Sequence, residues 1–388
     1  MKAFPEPIYV TRPFMPPLNE FSAALQEIWD NRWLTNRGPI ETRFEKALSH
    51  YLNAANVCLF NNGTLALQIA LQGMEISGEV ITTPFTFVAT THALFWNKVR
   101  PVFCDIEPNY YNIDPDRIEA LITPWTTAIL AVHVFGHVCC LDKLANIAKK
   151  HNLKLIYDSA HAFGVKVNGK SITAYGDLNM LSFHATKLFH TFEGGALVFQ
   201  ENGLKSKFNY LKNFGFKNEV EVVMPGTNAK MTEFQALMGI SILKYFDQMI
   251  SKRKKISRLY RERLADVPGI IFYRELPPEV EPNYAYVPVQ IHEVEFGCSR
   301  DFLYEELKKY NVFVRRYFYP LISEYACYKH VSLIDSLKNA QEVSKRILCL
   351  PIYSEFSLED VEKICDLILY IQKQATFNPR YNQMRKVE

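Results

Sequence analysis

The sequence predicts an α/β protein in two parts: a large domain over residues 1–250, built on a mainly parallel sheet sandwiched by helices, and a smaller α+β domain over residues 251–388. Three observations carry this. From Val57 onward, short apolar runs alternate with helix signals, the rhythm of parallel strands joined by helical crossovers. A chain of 388 residues exceeds the size at which one core keeps growing. Hydrophobic residues make up 48% of it, enough to fill large cores.

The first two elements are helices. Phe21, Leu25 and Ile28 recur at helical spacing, as do Phe44, Leu48, Tyr51 and Leu52, and Gly38-Pro39 breaks the chain between the two sets. Residues 57–60 form a short buried strand, Asn61-Asn62-Gly63-Thr64 a turn, and residues 65–72 a helix. A helix start presents free amide donors and a positive dipole end. Gly63 lets an anion approach and Thr64 adds a hydroxyl, so a phosphate could sit there. Alone, the same residues suit an ordinary capped helix.

Strands at 80–82, 99–104, 128–132 and 153–157 follow, separated by helices near 87–96, from Pro115 and from Leu141. Ligands of such sheets bind beyond the carboxyl ends of the strands. Gly63-Thr64, the loop Thr83-Pro84-Phe85-Thr86-Phe87, His133 and Asp158 all fall at those ends. Asp158 follows the apolar run Leu155-Ile156-Tyr157, and a charge held there requires a partner. It is either a helix cap or the partner of a cationic ring nitrogen, such as that of pyridoxal 5'-phosphate (PLP).

Lys187 closes the stretch Leu181-Ser182-Phe183-His184-Ala185-Thr186-Lys187, on a short connection between two apolar runs that ends at Glu193-Gly194-Gly195. An amine at the end of a buried strand loses solvation, so its pKa falls toward neutrality and it can attack a carbonyl as a free base. PLP needs such an amine. Most lysines are solvated, and it is the upstream Gly63-Thr64 turn and Asp158 that set this one apart.

Beyond it, residues 196–199 are a strand, 204–211 a helix and Pro225-Gly226-Thr227-Asn228 a loop. A long helix starts at about Met231, and its segment Lys252-Arg253-Lys254-Lys255 reads as a solvated face. The small domain has a strand over 284–291 and helices over 301–310 and 358–372. Arg315-Arg316-Tyr317-Phe318-Tyr319 could contact a diphosphate or a base, or pack on the large domain. Residues 378–388 read as a frayed polar tail.

Composition narrows the function. Forty-four Lys and Arg against 41 Asp and Glu give a net charge of +3, which makes no electrostatic case for nucleic acid or membrane binding; a small molecule is the expected partner. The eight cysteines show no paired metal-ligand spacing, and no carboxylate or thiol spacing makes a metal site of His133, His137, His184 and His190. The thiols read as reduced, and neither a signal peptide nor a membrane-length apolar run is present, so a cytosolic location is expected.

With Gly63-Thr64, Phe87, Asp158-Ser159-Ala160-His161 and Ser182-Phe183-His184-Ala185-Thr186-Lys187 in place, the sequence resembles the DegT/StrS family of PLP-dependent nucleotide-sugar aminotransferases from about Pro13 to Ile371. Trp33-Leu34-Thr35, Gly38-Pro39, Gly226-Thr227-Asn228, Tyr319-Pro320-Leu321 and Leu350-Pro351-Ile352-Tyr353 belong to the same likeness. The resemblance implies the aspartate aminotransferase type fold with a seven-stranded sheet in the large domain, and PLP as cofactor with pyridoxamine 5'-phosphate as its aminated form. It makes Lys187 the Schiff-base lysine and proton carrier, Asp158 the partner of the pyridine nitrogen, Phe87 the ring stacked on the cofactor and His161 its flank. Gly63, Thr64 and Ser182 would hold the phosphate. Asn228 would reach it from the second subunit of a homodimer with shared sites. Lys230 stands where relatives often carry Arg, and Ser159 where many carry Ala.

The implied reaction moves an amino group from L-glutamate to a nucleotide-linked keto sugar. Some relatives replace the lysine with His and dehydrate sugars, so Lys187 argues for amino transfer. Ser182-Phe183-His184, Trp33-Leu34-Thr35-Asn36 and Thr191-Phe192-Glu193-Gly194-Gly195 resemble members that aminate C4 of dTDP-4-keto-6-deoxyglucose. Amination at C3, or of a UDP-linked sugar, is the alternative within the family. A PLP enzyme acting on amino acids, such as a desulfurase using Cys298, Cys327 or Cys349, and a regulator of this fold without turnover are the alternatives outside it.

Overall fold

Seven strands form the central sheet of the computed structural model, which describes residues 1–331 and 333–377; the tail expected at 378–388 lies outside these. Their order is Val57–Phe60, Gly195–Phe199, Leu178–Ser182, Lys154–Asp158, Thr126–Val132, Glu79–Thr82 and Arg100–Phe103. The neighbours from Leu178–Ser182 to Arg100–Phe103 pair in parallel. Gly195–Phe199 is antiparallel to the strand on either side. Both faces of the sheet are covered, so its strand interiors are mostly apolar rather than alternating. Cys58 and Phe60 pack under the helix Gly63–Gly73, while Val57 and Leu59 pack on the opposite face against Ile40, Phe44 and Leu48 of the helix Pro39–Leu52.

The early helices are Leu18–Asn31 and Pro39–Leu52, the second with proline in its first turn, where no amide partner is lost. Three expectations are corrected. The helix from Pro115 is a single turn, Pro115–Ile118, which tightens into Glu119–Leu121. The long helix from Met231 is two helices, Glu233–Leu243 and Phe246–Leu264. The first buries residues all round, including Gly239 against the Phe44 ring, while the second is amphipathic; neither Gly nor Pro marks the break. The strand expected over 284–291 begins only at Val287, because Tyr284 adopts a left-handed backbone (φ 54) and its carbonyl accepts from the buried Arg253.

A second core surrounds the antiparallel sheet Ile270–Phe272, Val287–Ile291, Ile347–Leu350 under the helices Arg300–Lys308 and Leu358–Phe377. The helix Phe246–Leu264 supplies Phe246 and Met249 to the main core and Ile256, Tyr260 and Leu264 to the second. We propose the domain boundary within this helix. The N-terminus returns to the second core: Phe4 packs there, and Ile8–Tyr9 pairs in parallel with Val312–Phe313. Among the described residues no helix is long and apolar enough to cross a membrane.

Candidate active site

The carboxyl ends of the central strands open into a cavity of about 550 Å³. Gly63, Thr64, Phe87, Asp158, His161, Ser182 and Lys187 all line it, brought from four separate segments of the chain. Asn228 is not in its wall; it lies exposed, its backbone bridged to Asn213.

Lys187 is placed by the sheet. Its connection runs between the antiparallel partners Leu178–Ser182 and Gly195–Phe199 and is pinned by Phe183 N–H to Gly194 O (2.8 Å), Thr191 N–H to Phe183 O (2.9 Å) and Lys187 N–H to His184 O (2.8 Å). Phe183, Leu188 and Phe189 anchor it in the core. Burial pulls the amine pKa down to about 8, against the opposing pull of the Asp158 charge.

Asp158 ends its strand and is buried, and burial raises its pKa. Two donors oppose that rise: Thr90 Oγ1 at 2.8 Å from Oδ2 and the Ala160 N–H at 3.1 Å from Oδ1. No helix starts at Asp158, so the carboxylate is not a helix cap. His161 accepts from the Phe135 N–H at Nδ1 (3.1 Å), which places the proton of its neutral ring on Nε2; burial holds the ring well below the usual imidazole pKa. Its ring lies parallel to that of Phe318, centroids 5.9 Å apart.

The helix Gly63–Gly73 is capped by Asn62, whose Oδ1 accepts from the Leu65 N–H at 2.8 Å, so the amides of Gly63 and Thr64 precede the first intrahelical donors. A Cβ on Gly63 would come within 2.9 Å of Ser182 Cβ, and one on Gly195 within 2.7 Å of the Gly63 nitrogen. Glycine at both positions lets the helix start sit against the strand ends, which sets the Ser182 hydroxyl beside it.

Sequence reasoning missed Thr90, a small polar residue inside a helix with no local signal, and Tyr286, which joins the wall from the second domain. The aromatic run after Arg315 divides. Tyr317 and Phe318 line the cavity, while Arg316 turns to Asp301 (2.7 Å) and the Tyr304 ring. His133 and His137 are buried, with pKa values pulled down to about 3 and about 4, and His190 bonds the Phe14 carbonyl at 2.8 Å.

A lysine amine of lowered pKa, sharing a cavity with a buried carboxylate and a helix N-terminus on a mainly parallel sheet, defines an enzyme of amine and carbonyl chemistry. The chain belongs to the DegT/DnrJ/EryC1/StrS aminotransferase family, whose sequence profile matches residues 18–369. It is 45% identical over 367 residues to a dTDP-4-amino-4,6-dideoxy-D-glucose transaminase of Shigella dysenteriae, covering 95% of this chain and 100% of that one. A transaminase of the same name from Escherichia coli is 44% identical over 93% of this chain and 98% of its own. Among solved structures, DesI in the presence of its TDP-sugar product superposes with a TM-score of 0.93 at 34% identity, covering 100% of this chain and 97% of that chain. The family, the fold class and the sugar aminotransferase activity expected from the sequence are those found.

Proposed function

We propose that the protein binds PLP in this cavity and moves an amino group from L-glutamate to C4 of dTDP-4-keto-6-deoxyglucose. The observation that carries the chemistry is the pairing of Lys187 with Asp158 in one cavity; the names of the 45% and 44% identical relatives support the sugar and the carbon.

The residues fit the cofactor. The leading amides of Gly63 and Thr64, with the hydroxyls of Thr64 and Ser182, suit a phosphate at the positive end of the helix. Asp158 suits a protonated pyridine nitrogen, and Phe87, 57% exposed, offers a ring face at the cavity. When bound, PLP supplies the carbonyl that takes up the amino group and the ring that accepts electrons from the substrate carbon. Lys187 Nζ, with its pKa near 8, would serve both as the free amine that bonds the cofactor and as the group that moves the substrate proton. Asp158 would hold the ring nitrogen charged, and Tyr286, Tyr317 and Phe318 would wall the reacting atoms on one side.

A homodimer in which Asn228 reaches the partner's phosphate fits its exposure outside this chain's own cavity. A cytosolic setting fits eight free thiols. The desulfurase alternative loses support, because Cys298 and Cys349 are buried and, among the described residues, no cysteine lines the cavity.

The test is the visible absorbance of protein loaded with PLP, before and after glutamate, followed by mass analysis of the product from dTDP-4-keto-6-deoxyglucose. Loss of the band with glutamate, then its return with the keto sugar and formation of an amino sugar, is the expected result. A glutamate response without recovery would retain the aminotransferase and reject this sugar.

A further inference from the structure

We propose that Thr90 is the positioning residue for Asp158, and that Thr86 fixes the direction in which the Thr90 hydroxyl donates. The proposal rests on the PLP reading above, in which Asp158 is ionised opposite a protonated ring nitrogen.

Thr90 is fully buried in the first turn of the helix Ala89–Trp96. Its Oγ1 stands 2.8 Å from Asp158 Oδ2 and 3.2 Å from Thr86 Oγ1. Among the described residues its side chain hydrogen-bonds these two alone. A hydroxyl has one proton, and an ionised carboxylate only accepts. The Thr90 proton therefore goes to Asp158, and the bond from Thr86 runs toward Thr90. Thr86, which lines the cavity, is left presenting lone pairs to it. Protonation of Asp158 allows the chain to reverse, and Thr86 becomes a donor toward the cavity. The charge on a buried carboxylate is thus tied to the hydrogen-bonding sense of a group on the cavity wall.

The two carboxylate oxygens are held from different elements. Oδ1 takes the Ala160 N–H at 3.1 Å from the loop that continues its own strand, whereas Oδ2 depends on a side chain of another helix. Lys187 acts on the carboxylate through space. His161 is neutral, and His184, Glu193, Tyr286 and Tyr317 complete the ionisable wall of the cavity. Removing the Thr90 hydroxyl frees Oδ2 to turn and makes the carboxylate a stronger base.

The test compares Thr90→Val, which keeps the shape without the hydroxyl, with Thr90→Ser, which keeps the hydroxyl, and with Thr86→Val. Three quantities are read: the affinity of apoprotein for PLP, the pH midpoint of the visible band of the loaded protein, and thermal unfolding of the apoprotein. Thr90→Val should weaken PLP binding about ten- to a hundredfold, the range for a hydrogen bond to a charged group. It should also move the midpoint upward. The proton that Asp158 and the ring nitrogen would share would shift toward the carboxylate, the ring would withdraw fewer electrons, and Lys187 Nζ, bonded to the cofactor, would become more basic. Thr90→Ser should restore both values, and Thr86→Val should shift them less, in the same direction. A Thr90→Val protein that unfolds like wild type and keeps its affinity and midpoint overturns the proposal, as does a Thr90→Ser protein that behaves like Thr90→Val. If Thr90→Val does not fold, Thr90→Cys, a weak donor, replaces it, and an unchanged midpoint there is equally decisive. A wild-type protein that develops no visible band with PLP overturns the cofactor reading itself, and this is seen before any variant is made.

Discussion

Asp105 Oδ1 accepts from the backbone N–H of Ala340 at 2.8 Å, a bond between residues 235 positions apart. Oδ2 accepts from the Asn339 N–H, also at 2.8 Å. The residue before the helix Lys338–Arg346, Leu337, offers no side-chain cap, so a buried carboxylate just past the strand Arg100–Phe103 caps it instead. Asp105→Ala should cost about 2–4 kcal/mol, the sum of a lost cap and unsatisfied buried amides. Asp105→Asn, which keeps one acceptor oxygen, should cost less. Urea unfolding of the three proteins checks the order.

Replacing Lys187 separates activity from stability. Lys187→Met should lower turnover at least about a thousandfold, since the proposed nucleophile and proton carrier vanish together. The apoprotein should nonetheless become more stable at neutral pH. The folded pKa of Lys187 is about 8 against an ordinary 10.5, so the unfolded chain binds the proton more tightly, and burying the cation costs up to about 3 kcal/mol. That penalty is full below the folded pKa and fades as pH rises from about 8 to 10.5. The stabilisation by Lys187→Met should therefore be largest near neutrality and mostly gone by about pH 10. Denaturant titrations at the two pH values give the difference directly.

The same pKa sets how fast apoprotein captures PLP. Only the free amine attacks, so the capture rate should rise about tenfold per pH unit below the pKa and level off above it. Rapid-mixing absorbance should give a midpoint near 8; a midpoint at the ordinary lysine value would mean that the amine is solvated.

Gly195 and Gly203 make a matched pair. A Cβ at Gly195 would meet backbone, the Gly63 nitrogen at 2.7 Å and the Asn62 carbonyl carbon at 2.8 Å, whereas at Gly203 the nearest atom is 3.8 Å away. Gly195→Ala should destabilise by about 1–3 kcal/mol, the usual cost of overpacking, and weaken cofactor binding with it. Gly203→Ala should leave both unchanged. Thermal unfolding with and without PLP distinguishes the two.

Phe87 packs little in the free chain, so Phe87→Ala should change apoprotein stability by less than about 0.5 kcal/mol. Its effect should fall on PLP affinity, weakened about two- to tenfold if the ring stacks on the cofactor. Phe87→Trp should retain affinity.

The sheet was legible because strands buried on both faces read as continuous apolar runs, as in Val57–Phe60 and Leu155-Ile156-Tyr157, and loops with chemical side chains follow them directly. Asp158 and Lys187 could be named for that reason. What stayed hidden is what the chain brings from a distance. Thr90 bonds a residue 68 positions on, and Asp105 caps a helix 235 positions on; neither leaves a local pattern. The break between Glu233–Leu243 and Phe246–Leu264 was equally silent, because both segments are good helix formers and the turn is imposed by packing. The pairing of Ile8–Tyr9 with Val312–Phe313 spans nearly the whole sequence and has no periodicity of its own.

The antiparallel strand of the central sheet, Gly195–Phe199, governs when the site can assemble. Gly195 pairs with Phe60 and Ser182 together, so the helix start at Gly63 and the lysine connection meet only when residues near 60 find residues near 195. Everything between them must first be synthesised and at least loosely ordered, and closing so long a loop is an entropic barrier that local contacts do not lower. The cavity is therefore a late product of folding. A ligand that bridges the two sides would bind only chains that have completed the closure, holding them there, so PLP supplied during refolding should raise the yield of native protein as well as its activity.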